Sequence, residues 1–90
     1  MQAELHAAFC CEQLSDAQRI ILIHRTLGRS LKAIARLTNY SEQVVKNYLS
    51  EARQRLHART NEEACWLAQF TGQISNLDIL AAYTAEQDLG

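Results

Sequence analysis

The stretch KAIARLTNYSEQVVKNYLSEARQRL, residues 32–56, holds two helical patterns separated by Thr38-Asn39-Tyr40-Ser41. In the second pattern Val45, Leu49, Ala52 and Leu56 fall within roughly 60° of one another at about 100° per residue, forming one apolar stripe. Opposite that stripe stand Gln43, Lys46, Asn47, Ser50, Gln54 and, toward one edge, Arg53. This outer face is polar without being acidic. Its amides, hydroxyl and cations suit base edges and phosphates, and an ordinary solvated helix face is the competing reading. The first pattern turns Leu31, Ile34 and Ala35 inward and sets Lys32 and Arg36 outward, four residues apart. Asn39 tolerates the left-handed backbone that a sharp turn after it requires. Tyr40 can anchor that turn, and Ser41 is placed to cap a helix from 42 to about 57.

Working outward, Ser15 and Gln18 form a capping box. They open a helix over 16–27 with Ala17, Ile20, Ile21, His24 and Leu27 on its inner side, ended by Gly28. Ser30 caps the helix that carries Lys32. Thr60 and Glu63 begin a fourth helix that runs to near Gly72 and turns Ala64, Leu67 and Ala68 inward. Trp66 and Phe70 fall on another side of it, so they either fill a core or mark a partner surface. Ser75 and Asp78 start a fifth helix, to about residue 87, with Leu77, Leu80, Ala81 and Tyr83 packing. That helix would cover the fourth or extend a dimer interface. Residues 2–12 suit a further short helix with Leu5, Ala8 and Phe9 on one side. With no proline and only three glycines in ninety residues, the expected fold is all-α. It is a helix-turn-helix bundle of four core helices plus a C-terminal one, a single helical domain over 1–90.

A net charge of −1 conceals a strong division. Every Lys and Arg lies between Arg19 and Arg59, and within 14–59 only Asp16, Glu42 and Glu51 oppose them, so that span carries +6 and the remainder −7. A basic middle between acidic flanks is a localised footprint for a polyanion. The apolar run IILI at 20–23 is far too short to span a bilayer, and no basic-then-apolar leader opens the chain, so neither membrane nor secretion is expected. Cys10, Cys11 and Cys65 give neither a disulfide framework nor a metal spacing and read as small thiols in a reducing cytoplasm. His24 reads as core, and His6 and His57 have no evident partner set. Dispersed acids, an unhelpful cysteine pair and the absence of a glycine-rich fingerprint argue against an enzyme, a cofactor or a metal.

Helix, tight turn and amphipathic second helix make a helix-turn-helix. Lys46 is placed for a phosphate or a guanine edge, Gln43 and Asn47 for base amides and acceptors, and Lys32 and Arg36 for the DNA backbone. Ser41, with the open amides of the helix it caps, suits a phosphate as well. LSDAQRIIL at 14–22, GRSLKAIA at 28–35, YSEQVVKNYL at 40–49 and RLHARTNEEA at 55–64 resemble the LuxR/GerE-type helix-turn-helix domain of bacterial transcription regulators, over a core of 14–74. The second and third helices, LSEARQRL at 49–56 above all, resemble region 4 of a bacterial sigma factor equally well, although that family does not normally continue into ARTNEEA.

The first resemblance implies a DNA-binding regulator whose third helix enters the major groove, with Lys46 at the lysine of the family's Thr-Val-Lys motif. It also implies homodimer contacts on the fourth helix, here Trp66, Gln69, Phe70 and Gln73, and hence a roughly palindromic site. Val44 stands where that family commonly has a phosphate-contacting Thr, and Ala33 where it has Glu. With no room in ninety residues for an attached sensing domain, regulation is expected through abundance, dimerisation, or contact with a regulator protein or RNA polymerase. A helix-turn-helix relic that binds and blocks another regulator is the alternative.

Overall fold

The computed structural model describes residues 12–89, with side chains over 12–85. The helix expected over 2–12, together with His6, Cys10 and Cys11, falls essentially outside this span. Five helices follow one another: α1 Asp16–Thr26, α2 Leu31–Thr38, α3 Glu42–Leu56, α4 Asn61–Phe70 and α5 Asn76–Leu89. The all-α expectation holds, and among the described residues there is no strand.

Helix starts follow the capping residues. The Ser15 hydroxyl accepts from Gln18 N–H at 3.2 Å while Gln18 Oε1 accepts from Ser15 N–H at 3.0 Å. Ser30 and Ser41 accept from the N–H of Ala33 and Val44, at 3.2 and 3.1 Å. Neither Ala33 nor Val44 has a side chain able to return the bond, so these caps are one-sided. Thr60 likewise accepts from Glu63 N–H at 3.0 Å, and the Glu63 carboxylate lies 3.7 Å from Arg59. The ends of α1 to α4 are made by left-handed residues, Gly28, Asn39, His57 and Gly72. Gly28, at φ 84°, donates to Arg25 C=O at 2.9 Å while Arg29 N–H reaches back to His24 C=O at 3.3 Å. This pairing satisfies two carbonyls that the helix end would otherwise orphan.

The core is built from Leu14, Ile21, Leu22, Ile23, Ile34, Val45, Leu49, Ala52, Leu56, Ala64, Cys65, Ala68 and Ile74. The α3 stripe is buried as expected, all four of its members being at most 2% exposed. In α1 the buried arc differs. Ile20 is 45% exposed and Ala17, His24 and Leu27 lie at the margin, while Gln18, Ile21, Leu22 and Ile23 are buried. The arc is thus turned by roughly 100°, one residue's rotation. The reason is that α1 packs against all four other helices and so needs burial on a wider arc than one contact demands.

The expectation for α5 is also corrected. Leu77, Leu80, Ala81 and Tyr83 are exposed, and it is Ile79 and Ala82 that touch the core. α5 docks chiefly on α1 rather than covering α4. Its reciprocal cap is present, Ser75 N–H donating to Asp78 Oδ2 at 2.9 Å and Asp78 N–H to Ser75 Oγ at 3.1 Å. These bonds hold the Asp78 carboxyl below its ordinary pKa. Cys65 is buried as a small apolar side chain, and burial pushes its thiol pKa up.

Candidate nucleic-acid interface

The turn between α2 and α3 sets the interface. Asn39 takes φ 64°, the left-handed conformation its short polar side chain tolerates. The Thr38 hydroxyl closes on Ile34 C=O at 2.6 Å. The Tyr40 ring meets Tyr48 at 5.4 Å between centroids, tying the turn to the second turn of α3. α3 is held from below by its apolar stripe and from the side by Gln18, whose Nε2 donates to Glu51 Oε1 at 3.0 Å. Gln18 thus caps α1 and tethers α3 with one side chain.

The outer side of this frame carries the expected residues. Lys32 and Arg36 on α2, Ser41 at the turn, and Gln43, Lys46 and Asn47 on α3 are exposed, and Ser50 and Arg53 are half-buried. Lys46, Asn47, Ser50 and Arg53 meet Leu31, Leu49 and Asn61 around an open concavity of about 300 Å³ between α3 and the first turns of α2 and α4. The Arg53 guanidinium donates to Asn61 Oδ1. The sequence reading missed Asn61 as part of this wall. Its position one residue after the Thr60 cap was the available signal, because it places a polar side chain at the start of a helix facing the end of α3. Gln43 Nε2 donates to Asn47 Oδ1 at 3.1 Å, so the two amides form one exposed unit.

The cations divide into two groups. Arg19 pairs with Asp16 at 3.6 Å, Arg25 with Glu62 at 2.9 Å, Arg55 with Glu12 at 4.0 Å and Arg59 with Glu63 at 3.7 Å. Arg53 is engaged by Asn61, and Arg29 is engaged as well. Among the described residues Lys32, Arg36 and Lys46 have no ion-pair or hydrogen-bond partner, and all three stand on the α2–α3 outer surface. Beyond Arg59 the chain has five acids, Glu62, Glu63, Asp78, Glu86 and Asp88, and no Lys or Arg.

Of the four residues expected at a dimer contact, Trp66 and Phe70 are 59% and 58% exposed and stack at 5.3 Å with 15° between ring planes. Gln69 is exposed and donates to Cys65 C=O at 3.2 Å. Gln73 is used internally, accepting from Leu14 N–H at 2.6 Å and donating to Glu12 C=O at 3.4 Å. His24 is half-buried, and burial first and the Arg29 charge second depress its pKa. Among the described residues no group of His, Cys, Asp and Glu is arranged to hold a metal ion.

The family described as Sigma-70, region 4 matches residues 8–56, more than half the chain, and its last matched residue is the last residue of α3. No curated protein and no solved structure matches the chain. The resemblance to LuxR/GerE-type domains is thereby supported at the level of a helix-turn-helix DNA-binding fold, and the family shown is region 4. α4 and α5, with ARTNEEA, lie beyond the matched stretch.

Proposed function

The chain belongs to the Sigma-70 region 4 family, a helix-turn-helix DNA-binding family of transcription, and from that premise we propose that it is a regulator that binds double-stranded DNA with α3 in the major groove. One observation carries this reading. Lys32, Arg36 and Lys46 are the cations without a partner among the described residues, and they share the helix-turn-helix outer surface. Unpaired exposed cations release phosphate counterions at no cost in broken salt bridges. Lys32 and Arg36 take the backbone, together with Ser41 at the start of α3. Gln43, Asn47 and Ser50 face the bases, with Lys46 among them directed to a phosphate and Arg53 at the edge.

The finer parts of the reading are a cytoplasmic protein acting as a homodimer through α4, on a core of 14–74. Trp66 and Phe70, stacked and exposed, support the contact. No helix among the described residues is long and apolar enough to cross a membrane. The test is selection of genomic fragments by the purified protein at low salt, paired with a mass measurement of the free protein. Retained duplexes with protection over two half-sites, and a free mass of two chains, are the expected results.

The same Trp66–Phe70 surface favours a second reading, an interaction protein that binds another regulator or RNA polymerase. Absence of duplex retention at low salt, with protein capture that depends on Trp66, would replace the first reading by the second.

A further inference from the structure

The geometry points to Asn47 as an adenine-reading residue and to Gln43 as the residue that positions it, an inference that rests on the DNA-binding reading. Both side chains are exposed on α3, one turn apart, and Gln43 Nε2 donates to Asn47 Oδ1 at 3.1 Å. The bond holds the Asn47 amide against that of Gln43, so Asn47 does not turn alone without losing it. Oδ1 points toward Gln43 and keeps one lone pair, while Nδ2 points away and keeps both its hydrogens. The amide edge left for a ligand in this arrangement is an acceptor beside a donor.

In the major groove adenine offers an N6 amino donor beside the N7 acceptor, which that edge complements in two bonds. Guanine places the O6 acceptor where N6 would be and sets oxygen against oxygen. Cytosine and thymine offer a single polar group to the same edge. An amide free to flip would turn Nδ2 toward guanine O6 and lose much of the discrimination. Gln43 hinders that turn, since the bond persists only if both amides turn together, so its contribution is to selectivity rather than to affinity. Lys46, between them in sequence and without a partner among the described residues, supplies a charge that does not depend on the base.

A Gln–Asn pair at this spacing also supports an isolated helix, and that purely structural role makes a different prediction, because it leaves base preference untouched. The experiment is selection from a duplex pool with a randomised core, using the full chain, Asn47→Ala, Gln43→Ala and Lys46→Ala. The unaltered protein is expected to select adenine at one position of each site. Asn47→Ala should lose that preference by about tenfold at that position alone. Gln43→Ala should lower the adenine-to-guanine ratio there while keeping low-salt affinity, and Lys46→Ala should weaken all sequences alike. Replacing the selected adenine by 7-deazaadenine should weaken the unaltered protein and leave Asn47→Ala unaffected. Base preferences that survive both amide substitutions overturn this inference and leave DNA binding standing. Failure of the unaltered protein to retain any duplex overturns both.

Discussion

The partnerless cations make a quantitative prediction about salt. Each phosphate neutralised by a lysine or arginine contributes about −0.9 to the slope of log affinity against log salt concentration. Three such residues, Lys32, Arg36 and Lys46, give a slope of about −2.7 per chain, a loss of roughly 40-fold between about 50 and 200 mM salt. Arg53 adds less, since its guanidinium is held by Asn61. Lys46→Ala should bring the slope to about −1.8, and the triple Ala variant should leave a nearly flat line. All three side chains are exposed, so the substitutions should shift stability by no more than about 0.5 kcal/mol each, which circular dichroism melts would verify. Fluorescence anisotropy on a labelled duplex, titrated across salt concentrations, reads the slope. Two chains bound per site would double it to about −5.4. If the triple variant keeps the slope of the unaltered protein, the DNA backbone is held by other residues and the assignment of this face is wrong.

Other expectations follow from the frame beneath that face. Leu49, 2% exposed at the centre of the α3 stripe, should cost about 2–5 kcal/mol when cut to Ala, read as a lower urea midpoint with an unchanged m-value. His57 ends α3 at φ 56°, where a β-carbon costs about 1–2 kcal/mol. His57→Gly should therefore not destabilise the fold, whereas Asn39→Val, at φ 64°, should lower the melting temperature by several degrees for a loss of about 1 kcal/mol. His24 has a folded pKa below its ordinary 6.5, so the unfolded chain takes up its proton first. The stability tied to a neutral imidazole is full above 6.5 and falls as pH drops from there toward the lower folded value. Urea titrations of His24→Gln should show a flatter profile in that window. A homodimer through the acidic α4 side should tighten with added salt while DNA binding weakens, a contrast that sedimentation velocity would display.

The helix-turn-helix was legible because its signals are local. Ser15, Ser30, Ser41 and Thr60 cap the helices they precede, Asn39 turns left-handed, and the stripe from Val45 to Leu56 is buried. What escaped reading depends on how many neighbours a helix has. α1 touches four helices, so its periodicity misplaced its buried arc and put Ile20, which is 45% exposed, inside it. Gln18 was recognised as a capping residue, but nothing local shows that it is 2% exposed and also holds Glu51. The apolar residues of α5 misled for the converse reason, since Leu77, Leu80 and Tyr83 lack a neighbour among the described residues to bury them. In the candidate interface the residue types were readable from a helical wheel. Which cations are already neutralised, and that Gln43 is bonded to Asn47, required the side chains in place.

The separation of charge along the chain has a kinetic consequence. Unpaired cations gather on the α2–α3 surface, while everything after Arg59 carries acids and no Lys or Arg. A near-neutral molecule built this way has little net attraction to DNA at long range and a substantial dipole moment. Within about a Debye length, roughly 10 Å at 0.1 M salt, the phosphate field exerts a torque before it exerts much pull. The protein would turn its helix-turn-helix side toward the duplex while still separated from it by water. The fraction of collisions that arrive correctly oriented would then rise without any increase in binding energy, and the gain would vanish with salt faster than the bound complex loosens.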